Sequence, residues 1–210
     1  MSDPDINCPL CPRLVAYREE NRKVHPDWHN SPVRSIGKMD AELLILGLAP
    51  GLKGANRTGR PFTGDYAGQL LYSTLLEFEF AIGNLNTIPG HGVRLRNCRI
   101  ANAVRCVPPQ NKPSGSEIKA CASFLEQELD AMPNLKVVLA LGTLAHYSVL
   151  TIYKLHRGAR KFGHNTQHDL SSGVVLLDSY HCSRYNTNTG RLTEKMFHDV
   201  FRNIRNLIRI

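Results

Sequence analysis

Between Ala41 and Gln69 the chain sets Lys53, Arg57 and Arg60, the ring of Phe62 and the carboxylate of Asp65 into one glycine-rich turn. Cations, a flat ring and a carboxylate suit a base carried on a phosphate backbone, with charge for the phosphates and a face for stacking. Gly47, Ala49, Pro50 and Gly51 open the turn, and glycine lets a backbone approach a ligand closely. Asn102 lies inside the apolar run CRIANAVRC. A buried amide must find hydrogen-bond partners. A base edge, which both donates and accepts, supplies them, and so do neighbouring backbone groups. His181, Ser183, Arg184 and Tyr185 follow a later apolar run. Cys8 and Cys11 form one thiol pair, and Cys106 and Cys121 another. Four thiolates suit zinc or an iron–sulfur cluster, and spacing alone leaves the metal open. Cys98 reads as a core residue.

Neither common phosphate loop is present: there is no G-x-x-x-x-G-K-[ST], and no G-x-G-x-x-G follows the first apolar run. That argues against a nucleoside triphosphatase and a dinucleotide dehydrogenase. Gly47-Leu48-Ala49-Pro50-Gly51, followed by Asn56-Arg57-Thr58-Gly59-Arg60-Pro61-Phe62-Thr63-Gly64-Asp65, resembles motif A of the uracil-DNA glycosylase superfamily, in its family 5 (type B) branch. Tyr180-His181-Cys182-Ser183-Arg184-Tyr185-Asn186, with TGRLT at 189–193, resembles motif B, which usually begins His-Pro-Ser. Cys182 stands in the place of that proline and does not fix φ, so a looser loop is expected.

The resemblance implies a monofunctional glycosylase that flips uracil out of DNA and hydrolyses its N-glycosidic bond. Hypoxanthine and modified pyrimidines are implied as further substrates. Phe62 would stack on the base, Asn102 would read its edge, and the backbone from Gly47 to Gly51 would hold its carbonyls. His181 would stabilise charge on the departing base. Ser183 would meet phosphate, Lys53, Arg57 and Arg60 would contact the strand, and Arg184 and Tyr185 would fill the vacated space. Other branches carry an acidic or amide side chain early in motif A, where this chain has Gly47-Leu48-Ala49. Asp65 is therefore assigned the water, or the sugar cation, with a helix N-cap as its plainer role. The resemblance also implies a structural [4Fe–4S] cluster on Cys8, Cys11, Cys106 and Cys121. The expected partner is damaged DNA, and the expected state a monomer in the cytoplasm, at the nucleoid.

Periodicity supplies the elements that position these residues. Apolar runs predict strands over 43–46, 98–106, 136–141 and 174–179. Helices are expected over 12–24, 68–82, 114–129, 143–152 and 193–208, with Ser114 and Glu117 as a capping box. Residues 83–97, with Pro89, Gly90 and Gly92, read as a loop. The basic stretch 154–168 reads as a phosphate-facing surface, with His164 and His168 exposed. Strands alternating with helices imply a three-layer α/β/α sandwich around a central four-stranded parallel sheet. Loops after the strands then gather at one edge. The whole chain is expected to form one domain, with 1–40 an extension carrying Cys8 and Cys11.

The 210 residues carry 26 Lys and Arg against 18 Asp and Glu, a formal charge of +8 that favours a polyanionic partner. No apolar run approaches a membrane span. The polar, acidic start MSDPDINCPL does not read as a signal peptide, so the thiols are expected reduced. Two rival classes fit parts of the pattern. A zinc-stabilised nucleic-acid-binding protein would be colourless and inert towards bases. An electron-transfer iron–sulfur protein would have no use for Asn102, Asp65 or His181.

Overall fold

The structure is a computed structural model describing residues 3–85, 92–170 and 173–208. Four strands, β1 (Leu43–Gly47), β4 (Cys98–Asn102), β5 (Val137–Leu141) and β7 (Val175–Ser179), are parallel and lie in the order β4-β1-β5-β7. Helices cover both faces, so strands need apolar residues on both sides. That is why they read as continuous runs instead of alternating patterns. A fifth strand, β6 (Gln167–Asp169), extends the sheet antiparallel to β7. It is too short and polar to register as an apolar run. Residues 83–97 are not wholly a loop: β2 (Ala81–Gly83) and β3 (Val93–Leu95) form a separate hairpin. Pro89 and Gly90 lie outside the described residues.

On one face of the sheet α3 (Tyr66–Glu77) and α7 (Glu194–Ile208) bury Leu71, Tyr72, Leu75, Phe197 and Phe201 in one cluster with Leu43, Ile45, Val137, Leu139 and Leu177 of the strands. On the other, α4 (Gly115–Asp130) and α5 (Thr143–Ile152) bury Leu125, Leu129, Val149 and Leu150. A third, smaller core joins Leu14 of α1 (Pro12–Val24) to Val104 and Cys121. The helix after β1 therefore goes to one face and the helix after β4 to the other. These strands are neighbours, so their exits diverge and leave a crevice at their carboxyl ends. Gly47 and Asn102 are register partners at its floor.

Several boundaries shift from expectation. The helix after motif A begins at Tyr66 and ends at Glu77. β4 stops at Asn102, whose strand neighbours are fully buried. Ala103 and Val104 then donate backbone hydrogen bonds to the carbonyls of Gly47 and Leu48 (both 2.9 Å). Asn102 is thus the last strand residue and not a mid-strand one. Two short helices were not anticipated: α2 (Ala55–Thr58) inside motif A and α6 (Arg184–Asn188) inside motif B.

His168 is a correction. It is buried, and its Nε2 lies 2.9 Å from Asp178 Oδ2. The other carboxylate oxygen of Asp178 meets His146 Nδ1 at 2.7 Å. His164 is half-buried and stacks on Tyr180. Sequence pattern does not reveal this network, because its members lie far apart in the chain.

Candidate active site

The crevice is a cavity of about 620 Å³ lined by both motifs and by the exit of β4. That volume suits a nucleobase with its sugar. Motif A supplies Ala49, Pro50, Gly51, Phe62 and Asp65, the exit of β4 supplies Asn102, and motif B supplies His181, Ser183 and Arg184. Residues more than 100 positions apart in sequence thus converge as expected.

Asn102 is 3% exposed and lines the cavity. Among the described residues its amide forms no side-chain hydrogen bond. The amide opens onto the cavity, where a ligand edge can pair with both its oxygen and its nitrogen. Gly47 does not itself line the cavity; it lies buried beneath it. A Cβ there would stand 2.4 Å from Asn102 Oδ1 and 2.7 Å from Phe62 Cζ. Glycine is required so that the amide and the ring can sit directly over the strand end.

Phe62 adopts φ +53, a left-handed conformation costly for an aromatic residue. The turn around it sustains this. Gly68 in α3 sits so close that a Cβ would meet the Phe62 carbonyl oxygen at 2.0 Å. The ring faces the His181 imidazole, centroids 6.1 Å apart and planes 28° from parallel. Burial pushes the His181 pKa below its ordinary 6.5, and Asp65 opposes that only in part. The ring is held neutral, fit to donate a hydrogen bond without carrying a charge.

Asp65 is a helix cap that also lines the cavity. Its Oδ1 accepts from the Gly68 N–H at 3.0 Å and caps α3. Its Oδ2 turns towards the motif A backbone, where a Cβ on Gly51 would lie 3.4 Å away and one on Gly54 2.6 Å away. The carboxylate therefore lines the cavity with one oxygen while the other is occupied.

Cys182 does not loosen motif B. It is fully buried and donates to the Ala67 carbonyl at 3.4 Å, tying motif B to α3. Burial raises its pKa to about 12. Ser183 caps α6 through the Asn186 N–H (3.4 Å) and still lines the cavity. Arg184 packs over the ring of Tyr66 at 5.4 Å, and Tyr185 projects at 73% exposure. Lys53 and Arg57 are exposed but outside the cavity lining. Arg60 faces elsewhere. Its Nη2 donates to the Val93 carbonyl at 2.9 Å, and it lines a groove with Lys38, Arg94 and Arg96. Sequence reasoning missed Tyr66, Ala67 and Asn111, which also line the cavity. Tyr66, directly after Asp65, was legible as a second aromatic in the motif. Asn111 carried no such signal.

Cys8, Cys11, Cys106 and Cys121 line a second hollow, between α1, the exit of β4 and α4. Among the described residues, no three of these sulfurs lie mutually within 4.8 Å, unlike the donors of His146, His168 and Asp178. Tetrahedral zinc with Zn–S near 2.3 Å needs sulfurs about 3.8 Å apart. The four sulfurs are not gathered that tightly. Ala49 of motif A packs against the same apolar cluster as Cys11, Cys106 and Cys121.

At the switch point of the parallel sheet one cavity gathers an aromatic ring, an amide, an imidazole and a carboxylate, the groups a base-excising site would need. Residues 34–205 match the Uracil DNA glycosylase superfamily, and the chain belongs to it. More narrowly, it is 45% identical over 206 residues to the type-5 uracil-DNA glycosylase of Thermus thermophilus, covering 95% of this chain and 93% of that protein. It is 38% identical to the type-5 enzyme of Pyrobaculum aerophilum, over 94% of this chain and 87% of that one. The type-5 enzyme of Mycobacterium bovis is also 38% identical, over 95% of this chain and 78% of that one.

Proposed function

We propose that this chain excises uracil from DNA by hydrolysing the N-glycosidic bond, without cutting the strand. The observation that carries this reading is the buried, unpartnered amide of Asn102 facing a cavity it shares with Phe62 and His181. Flipping the nucleotide costs a few kcal/mol, less at a mismatch. Phe62 stacks on the flipped base and the amide pairs with its edge. As the C1′–N1 bond breaks, positive charge grows on the sugar and negative charge on the base. Neutral His181 donates to the base oxygen. The free oxygen of Asp65 positions water or steadies the sugar. Ser183 holds phosphate, and Arg184 and Tyr185 occupy the gap in the stack. Lys53 and Arg57 meet the flanking strand. Family membership and the shared geometry support each role.

The cavity is large enough for a purine, which supports hypoxanthine as a further substrate. The four cysteines, which line one hollow, suit a [4Fe–4S] cluster. Cys8 and Cys11 would hold it from the α1 side, and Cys106 and Cys121 from the exit of β4 and from α4, which would brace the motif A turn through Ala49. The test is base release from labelled duplexes carrying a U·G or a hypoxanthine·T pair, with alkali revealing abasic sites. Alkali-dependent cleavage is expected from both. No release from U·G by folded, metal-loaded protein overturns the enzyme reading, and release from U·G alone overturns the breadth.

A further inference from the structure

The cysteine hollow contains a buried cation whose ion pair is with a half-exposed carboxylate. α1 buries a stripe at helical spacing, Leu14, Arg18 and Asn21. Arg18 is 3% exposed and lines the same hollow as the four cysteines. Its Nη1 and Nη2 each donate to the Cys8 carbonyl at 3.3 Å. Its Nε is buried and has no hydrogen-bond partner. The half-exposed carboxylate of Glu19 stands 3.8 Å away, beyond hydrogen-bond reach.

Burying a guanidinium with an orphaned N–H is expensive. Four neutral thiols would offset none of that cost. Four thiolates around a metal centre of charge +2 carry a net charge of about −2, and sulfur accepts hydrogen bonds. The orphaned donor and the weak counter-charge are then resolved by one group.

We propose that Arg18 is the charge partner of a four-thiolate metal centre, its Nε–H donating to a cysteinyl sulfur while its terminal nitrogens fix the Cys8 carbonyl. This rests on the metal reading above and not on the identity of the excised base. Arg18 acts through the centre; it is a positioning residue and touches no substrate. Its positive charge favours the more negative, reduced state of an iron centre.

The test uses full-length protein purified without oxygen, as wild type, Arg18→Lys and Arg18→Gln. Iron, zinc and sulfide are assayed, and near-ultraviolet circular dichroism checks each fold. Metal release to a chelator and the midpoint potential are then followed. Arg18→Gln is expected to release metal about tenfold faster and to have a more negative potential, with Arg18→Lys between. Normal fold, retention and potential in Arg18→Gln overturn the proposal. A readout without any variant is the Arg18 Nε–H proton in wild type, observed by nuclear magnetic resonance. Slow exchange only in the loaded protein is expected, and identical exchange with and without metal overturns the proposal. Wild type that holds no metal also overturns it. Uracil release is measured on the same samples, so its absence in loaded protein counts against the glycosylase reading alone.

Discussion

Asp65 caps a helix with one oxygen and faces the cavity with the other, and a single substitution separates these roles. Asn is as good an N-cap as Asp, so Asp65→Asn is expected to leave the thermal midpoint nearly unchanged. Loss of the charge at the reaction centre should lower kcat by about 100-fold. A thermal melt beside single-turnover excision checks this, and an unchanged rate reduces Asp65 to a cap. His181 makes a prediction about pH. Its folded-state pKa lies below 6.5 because burial penalises the charged form. The stability it contributes is present above the unfolded pKa and is lost as pH falls through the folded one. The active neutral ring likewise persists below 6.5, so the acid limb of kcat should fall beneath the ordinary imidazole range. A limb at or above 6.5 that vanishes in His181→Ala would refute the assignment. At this scale motif residues were legible because their chemistry is odd in context: an amide in an apolar run, a ring among glycines. Asn111 was not, because only folding brings it to the cavity.

Elements decide how firmly those residues are held. Gly68→Ala adds a carbon 2.0 Å from the Phe62 carbonyl. Neither backbone can yield cheaply, so a cost of about 3 kcal/mol is expected, with Phe62 displaced. Chemical denaturation measures the first, and loss of base affinity the second. The four parallel strands were legible because burial on two faces forces long apolar runs. The β2–β3 hairpin and β6 were not, since three residues are too few for any period to emerge. β6 also joins β7 through a buried polar device: His168 and His146 share the Asp178 carboxylate, which also accepts from the Gly163 N–H at 3.2 Å. Such a network reads as surface chemistry until the fold encloses it.

The molecule as a whole is held at its amino-terminal side by a buried charge. Glu128 is fully buried and pairs with Arg99 of β4 and Arg105, which also reaches Asp3. Ser35 donates to the same carboxylate at 2.9 Å. Glu128→Gln leaves two guanidinium groups under-compensated and is expected to cost 3–5 kcal/mol, or about that much by urea unfolding. The fold class, and the convergence of three segments on one edge, followed from the order of elements alone. How the extension docks did not, because its anchors are charges that sequence assigns to solvent. The net charge of +8 sets a further expectation. Affinity for duplex should fall linearly in logarithm with salt, by about 0.9 per phosphate contact. A flat salt response would show that the surface cations do not meet DNA.

Gly47 lies under both the amide and the ring and outside the cavity that they line. A survey of every substitution along the chain would therefore score it with the reacting groups, although it lies outside the cavity lining. Even alanine would push the reader and the stacking plate apart together, so loss at this position should be abrupt, with no graded series by size. Tolerance maps read for chemistry alone would list one catalytic residue too many.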